Sequence, residues 1–456
     1  MLQGFSNASR IPELRRRLLF TAAMLVVYRV GVAIPTPGID GQALSSFFDQ
    51  ASSTLFGWVN LFSGGALERF SIFALGIMPY ISVAIILDLL KIGWPYLDEL
   101  YKEGEAGRRK IAQYTRYGTV GLALIQGTMI AYSLEKIQGP GGGTVVYNPG
   151  FSFIAITVIT VTAGTMFVMW IGEQITERGV GNGISLIIMS GIIARIPSAI
   201  GGTVELVRAN EMSIFVLGGV LLLAFGVTAG IVYVESGQRR IPVQYARRVV
   251  GRRVYGGQAS HLPLKVNTSG VIPPIFASSI LVFPATLATF VPQLKWLSAY
   301  VTPGGLVYNI AYIALIVFFC YFYTAVTFNP VDVADNLKKY GGFIPGIRPG
   351  RPTAEYIDRV LSRITLGGAI YVSAVCVLPT ILTQRFNVPF YFGGTALLIV
   401  VGVALDTVAQ IETHLLSRNY ESFMGGPRGG GRNRKRPRSE SHGPARPGMS
   451  AREARE

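Results

Sequence analysis

The sequence predicts an all-α membrane protein with ten transmembrane helices. Half of its 456 residues are hydrophobic and only 14% are charged, where soluble domains sit near a quarter charged. A hydrocarbon core of about 30 Å needs roughly 20 mostly apolar residues per helical crossing. Ten runs meet that requirement: 18–34, 71–91, 115–135, 151–173, 183–201, 213–235, 271–291, 306–328, 362–383 and 391–416. Together with their connections they use nearly the whole chain, which leaves no room for a separate soluble domain.

The first run follows Arg15, Arg16 and Arg17 and has the flanks of a signal peptide, yet it leads into "PTPGID" and not a small-residue cleavage pattern. It is expected to be an uncleaved first span. The second run is preceded by "SGGALERF", residues 63–70, which carries two glycines and a Glu-Arg pair. That piece is too short to cross a bilayer and too charged to lie within one.

Spans three to six follow with short connections, and then two inner segments break the pattern. Residues 236–270 carry seven Lys or Arg and no acid, and residues 329–361 are also basic. Helix–helix connections of roughly 2–8 residues are the norm, and segments this long are functional or disordered. Their aromatic, proline and β-branched content favours order. After span ten, residues 417–456 hold ten Lys or Arg against four acids. They are expected to form a disordered basic tail resting near anionic lipid or touching RNA.

Positive charge fixes the orientation, because short basic loops stay cytoplasmic. With the N-terminus inside, only Lys136, Arg195, Arg208, Lys295 and Arg385 fall on outer connections, out of 41 Lys and Arg. Both termini are therefore expected in the cytoplasm. Five spans per half, in 1–201 and 202–416, would give the two halves opposite orientations, so any structural repeat would have its axis in the membrane plane.

Several chemistries find no footing. His261, His414 and His442 have no ligand-like spacing, so no metal site is expected. "RGVGNG" (178–183) and "GPGGGT" (139–144) lack the ending of a nucleotide-binding loop, so no cofactor and no ATP hydrolysis are expected. Cys320 and Cys376 lie within predicted spans and read as small buried hydrophobes. The ionisable residues singled out within the spans as functional candidates are Arg29, Asp88, Glu173 and Asp406. A coupled solute transporter would show more of them, although ten spans and possible inverted symmetry keep that alternative open. An RNA-binding membrane anchor using the tail is a third.

"FSGGALERFSIFALGIMPYIS" (62–82) resembles the SecY family, the channel subunits of bacterial protein translocases. Other segments agree in order: "EGEAGRRKIAQYTRYGT" (103–119), "GEQITERGVGNGIS" (172–185), "GQRRIPVQYARRVVGRRVY" (237–255), "HLPLKVN" (261–267), "GVIPPIFASSI" (270–280), "ADNLKKYGGFIPGIRPG" (334–350) and "VPFYFGGTALLIVV" (388–401). The resemblance runs from about residue 10 to 423. The chain departs from the family pattern in its long Arg/Gly-rich tail, in the doubling of a proline at Pro274, and in Asp88 where a polar uncharged residue is usual.

The resemblance implies two pseudo-symmetric five-helix halves around an hourglass pore, with a re-entrant plug helix over about 56–68. Gly64 and Gly65 would supply its hinge, and Glu68 and Arg69 would face an aqueous outer funnel. It implies a pore ring of Ile77, Ile81, Ile184, Ile188, Ile275 and Ile399, all isoleucine here. The pairs Ile77/Ile81 and Ile184/Ile188 each share a helix face at i, i+4, but only the resemblance places all six at one depth. A lateral gate between spans 2–3 and 7–8 would involve Ser82, Pro273 and Phe283. Arg239, Arg240, Arg247, Arg248 and Arg348 would dock the SecA motor ATPase or the ribosome. Further implied partners are SecE, probably SecG, signal-bearing preproteins and membrane lipids, and the implied location is the bacterial inner membrane.

Overall fold

The computed structural model describes residues 11–41, 43–45, 64–136, 145–209, 213–245, 248–250, 253–255, 259–290, 305–386 and 394–424. Helix occupies every predicted apolar run. The elements are α1 (Pro12–Val32), α2 (Met78–Gly93), α3 (Pro95–Lys102), α4 (Glu105–Lys136), α5 (Phe151–Arg178), α6 (Gly183–Ile193), α7 (Ile196–Arg208) and α8 (Ile214–Glu235). Then come β1 (Gln238–Tyr245), β2 (Arg248–Val250), β3 (Arg253–Tyr255), β4 (Ala259–Lys265), α9 (Ile272–Phe290), α10 (Leu306–Thr327), α11 (Pro330–Lys339), β5 (Gly342–Phe343), α12 (Arg351–Phe386) and α13 (Gly394–Met424). Residues 1–411 group into one compact unit and 412–456 into a second.

Among the described residues six helical stretches are long and apolar enough to cross a membrane: α5, Gly183–Glu205, α8, Leu306–Lys339, Arg351–Pro379 and Gly394–Leu415. A seventh is formed if α2 and α3, bent by 101° at Trp94, count as one. Pro95 sets that bend, because the residue before a proline is pushed out of the helical region; Trp94 has φ −123°, ψ 101°. The remaining predicted spans fall short on composition or described length. α1 carries Arg15, Arg16, Arg17 and Arg29, α4 is diluted with glycine and threonine, and the apolar stretch of α9 runs over Ile272–Leu281.

The small residues of α4 form its packing face. Its buried positions are Gly107, Ile111, Thr115, Thr119, Ala123, Gly127, Ala131 and Leu134, nearly all four residues apart, which lets α2 and α5 approach closely. A Cβ on Gly118 would lie 2.6 Å from Val83 Cγ1, and one on Gly127 3.8 Å from the Val158 Cα.

Three sequence expectations are corrected. The second span does not become helical at 71: residues 64–77 form consecutive turns and helix begins at Met78. Positive φ at Gly64, Gly65, Phe70 and Gly76 explains this, since left-handed residues interrupt a right-handed helix. Second, the basic segments of this mostly helical fold are not plain connections. The two long basic segments join in an antiparallel sheet of order β4-β1-β5, with a separate β2-β3 hairpin. In that sheet Arg240 pairs with Pro263, Ile241 with Leu262 and Gln244 with Phe343. Ile241 and Val243 point inward while Arg240, Pro242 and Gln244 point out, the two-residue alternation of a half-buried strand. Beneath lies a small core of Ile241, Leu264, Ile344 and Ile357, so α12 begins some eleven residues before its predicted span and its first turns support the sheet. Third, residues 417–424, expected to be disordered, continue α13 as helix, because nothing breaks the helix before the glycines at 425–426. Residues 425–456 lie outside the described ones.

Candidate functional site

Two helix starts carry four of the six ring isoleucines. Ile77 caps α2, and Ile81 N–H donates to Ile77 O across the first turn at 3.1 Å. Asn182 caps α6, its side-chain oxygen accepting from Ile184 N–H at 3.1 Å and Ser185 N–H at 3.3 Å. That cap fixes the direction in which Ile184 and Ile188 leave the helix. Ile275 sits in the opening turn of α9 just after Pro273 and Pro274, and Ile399 lies within α13.

All six belong to, or pack against, one large apolar cluster of thirty buried residues. Ile77, Ile81, Ile188, Ile275 and Ile399 are each at most 9% exposed and belong to one apolar cluster, and half-buried Ile184 packs against it. These side chains come from four elements far apart in sequence, and isoleucine offers no hydrogen-bonding group. The assembly can therefore exclude water and hydrated ions by apolar contact alone. α2 and α9 touch, and α9 continues onto α10 and α12.

Residues 64–77 lie against this cluster with irregular backbone, which is tolerated at such depth only where protein or water satisfies it. Here protein does so. Thr36 N–H donates to Phe70 O at 2.9 Å, Ile72 N–H to Ile34 O at 3.0 Å and Ser71 N–H to Ala66 O at 2.8 Å. Gly31 of α1 and Gly164 of α5 leave the space in which the Phe73 ring and the Ile72 carbonyl sit. Phe73 stacks on Tyr28 at 5.9 Å between ring centres.

The N-terminal end of this segment is held by polar contacts. Gly64 lies against the Gly191 backbone of α6, and Arg29 Nη1 donates to Gly64 O at 3.2 Å. Arg195 Nη2 donates to Glu68 Oε2 at 2.8 Å, both side chains about one third exposed. Arg69 is exposed. Most of the expected plug helix, residues 56–63, lies outside the described residues, and 64–68 are turns and not helix.

The other expected site residues are placed as follows. Ser82 is half-buried on α2 and Pro273 is buried at the start of α9, while Phe283 lies on α9 with its side chain outside the described set. Arg239 and Arg240 are exposed on β1, and Arg348 is exposed in the turn after β5. The β1–β5 pairing thus joins the strand that carries two of these arginines to the loop that carries the third. Arg247 lies outside the described residues, and Arg248 begins β2 opposite Tyr255.

The four ionisable residues singled out within the predicted spans each have a partner. Arg29 holds Gly64 O, Asp88 accepts from Tyr101 Oη at 2.8 Å, Glu173 takes two hydrogen bonds from Arg116 at 2.8 and 3.0 Å, and Asp406 faces Lys265 at 3.4 Å. Sequence reasoning missed Arg195 as the partner of Glu68, and it missed Asn267, a buried asparagine that joins Glu235 to the start of α9. The "VNTSG" run of small polar residues just before a proline-rich span was the available signal for the second.

The family model for SecY matches residues 71–408. The protein translocase subunit SecY of Escherichia coli (strain K12) is 54% identical over 418 residues, covering 90% of this chain and 94% of that protein. The same subunit of Pseudomonas aeruginosa is 53% identical over 429 residues, covering 93% and 96%. A solved structure described as a protein conducting channel shares the fold with a TM-score of 0.64 at 16% identity, covering 92% of this chain and 98% of that one. On the family match and on identities above one half across nine tenths of its length, the chain belongs to the SecY family.

Proposed function

We propose that this chain is the protein-conducting channel of a bacterial translocase, passing unfolded polypeptide across the inner membrane and releasing apolar segments sideways into lipid. The chain supplies the path and not the chemistry; the SecA ATPase or a translating ribosome supplies the drive. The observation that carries the reading is that six isoleucines from α2, α6, α9 and α13 belong to, or pack against, one apolar cluster. An apolar ring dewets when empty and yields to a passing chain, because dispersion contacts have no directional requirement.

In this reading residues 64–70 belong to the plug that covers the ring from outside, anchored by Arg29 and Arg195. Residues 1–201 and 202–416 form the two halves, and the gate opens where α2 meets α9, beside Ser82 and Pro273. Phe283 lies further along the same helix. Prolines 273 and 274 cannot donate backbone hydrogen bonds, which lowers the cost of bending α9 there.

The exposed arginines 239, 240 and 348, with Arg247 and Arg248 beside them, form the docking face for SecA or the ribosome. Guanidinium forks suit carboxylate and phosphate alike. SecE clamps the two halves and SecG completes the assembly, with both termini in the cytoplasm. A ribosome-channel complex of canine Sec61, which shares this fold with a TM-score of 0.61 at 15% identity, supports ribosome docking by analogy.

The test is a photo-crosslinker at Ile81 with a secretory preprotein stalled midway by SecA and ATP. An adduct that depends on ATP and on the signal sequence is expected. Crosslinks confined to the cytoplasmic sheet would leave only a docking platform.

A further inference from the structure

From the end of β4 to the start of α9 runs a short segment, residues 265–271, that is tied to four other helices. Val266 N–H donates to Gly237 O at 3.0 Å. The Val266 carbonyl sits where Gly368 of α12 leaves room, 2.8 Å from the position of a Cβ there. Thr268 and Thr324 of α10 are hydrogen-bonded at 3.2 Å. The Thr324 hydroxyl proton is already given to Cys320 O at 2.7 Å, so Thr268 is the donor. Lys265 faces Asp406 of α13 at 3.4 Å, and Val271 fills the space beside Gly402 of the same helix.

At the centre is Asn267, 3% exposed. Its side-chain amide donates to Glu235 Oε2 at 3.1 Å and Oε1 at 3.4 Å, and to Gly270 O at 2.9 Å, while its oxygen accepts from Ser269 Oγ at 3.1 Å. Both amide hydrogens and the carbonyl are engaged, so the side chain is held in one orientation. Glu235 is the last residue of α8, where the chain leaves for β1. Gly270, at φ +63°, is where it returns from β4 into α9. One buried amide thus fastens the two roots of the β1–β4 ribbon to each other and to the opening turn of the helix that carries Ile275.

We propose that Asn267 is a positioning residue that locks the base of the ribbon to the start of α9, so that a load applied to the ribbon moves that helix as one body with it. The inference rests on the docking role proposed above for Arg239 and Arg240, which lie on β1 in register with Leu264 and Pro263 of β4. The ribbon's strands end only a few residues from this lock, and an ordered antiparallel pair transmits displacement along its length.

The test substitutes Asn267→Asp in the purified channel, which keeps the shape but sets a second carboxylate beside Glu235 and removes the donor to Gly270 O. Amide exchange over 270–281 is expected to rise at least tenfold while β1 and β4 stay protected. Exchange within twofold of wild type overturns the proposal. In reconstituted vesicles preprotein translocation is expected to fall about tenfold with SecA affinity within twofold, and adding Glu235→Gln, which returns a donor to the gap, is expected to recover it several-fold.

An equal fall in affinity and translocation would mean that the segment only shapes the docking surface. Absence of recovery would overturn the role of the Glu235 contact. If the aspartate variant does not accumulate, Ser269→Ala removes the hydrogen bond to Asn267 Oδ1; faster exchange at the start of α9 upholds the proposal and unchanged exchange refutes it. Failure of SecA to bind the wild-type chain would refute the docking assignment alone, because the exchange measurement needs no partner.

Discussion

Gly64→Ala should release the segment that lies over the isoleucine cluster. A methyl group there would stand 2.7 Å from the Gly191 Cα and 3.5 Å from its carbonyl carbon, with Arg29 Nη1 at 3.3 Å. The first two are backbone atoms of α6 and cannot swing aside as a side chain can. Relieving such overpacking costs about 1–3 kcal/mol. Gly64 also has φ +67°, and holding alanine in that left-handed conformation costs roughly 1–2 kcal/mol more. The sum is about 2–5 kcal/mol against the observed arrangement. At tenfold per 1.4 kcal/mol this shifts the population of the displaced segment by roughly 30-fold or more.

Two neighbouring glycines provide the comparison. Gly65 has φ +87° but only Arg195 Nε within range, at 3.8 Å, so Gly65→Ala bears only the conformational penalty of about 1–2 kcal/mol. Gly191 is helical and its methyl would lie 3.0 Å from the Gly64 Cα; there the helix-propensity gain of about 1 kcal/mol offsets part of the clash. Chloride efflux from vesicles holding the resting channel reads the seal, and thermal melting in detergent reads the fold. Gly64→Ala should leak most and melt earliest, with the other two between it and wild type. Efflux within threefold of wild type and an unchanged melting curve would refute the close-packing argument.

Replacing Ile81 and Ile188 with glycine removes two buried side chains, each worth about 2–5 kcal/mol of packing, and should raise the resting conductance; an unaltered conductance would sink the ring. Reversing either member of the Glu68–Arg195 pair should loosen the same segment only mildly, since a pair this exposed contributes about 0.2–1 kcal/mol. The double reversal should restore wild-type efflux, and failure to restore it would show that the pair does not hold the segment. Arg240→Glu and Arg348→Glu sit on exposed positions and should leave the melting curve unchanged. Each should weaken SecA binding by roughly tenfold, as loss of a charge-assisted contact does; undiminished binding would move the docking face elsewhere.

The helices were legible because crossing a bilayer imposes a simple demand. Every predicted run holds helix, and Met78–Gly93 differs from its prediction only where positive-φ residues hold 71–77 in turns. Those turns were hidden because "SIFALGIM" is as apolar as a helix interior; what excludes helix is the backbone conformation and hydrogen bonds to Ile34 and Thr36, partners supplied by the preceding span. The β-sheet was half legible. The alternation Ile241, Val243 and Leu262, Leu264 signals strands, yet the pairing of β1 with β5 joins residues nearly a hundred positions apart, which no local pattern encodes. Within the site, the i, i+4 pairs could be read directly, whereas the convergence of Ile275 and Ile399 on them depends on how α9 and α13 pack.

The distribution of polar ties follows the same logic as the ring. The bidentate Arg116–Glu173 pair joins α4 to α5, and the Asn267 cluster gathers α8, α9 and α10. The six isoleucines, by contrast, have side chains that can contribute only apolar contact. Hydrogen bonds are costly to leave unmade once buried, as at Asn267, so elements fastened by such bonds move as units. Apolar contacts lose free energy in proportion to the area separated and re-form against whatever apolar surface arrives. In the proposed channel, a ring built of isoleucine would therefore part around a polypeptide and close behind it without breaking hydrogen bonds of its own side chains. A polar side chain within the ring would forfeit that property, and Ile188→Asn should accordingly leak ions more than Ile188→Ala, although asparagine fills more of the volume.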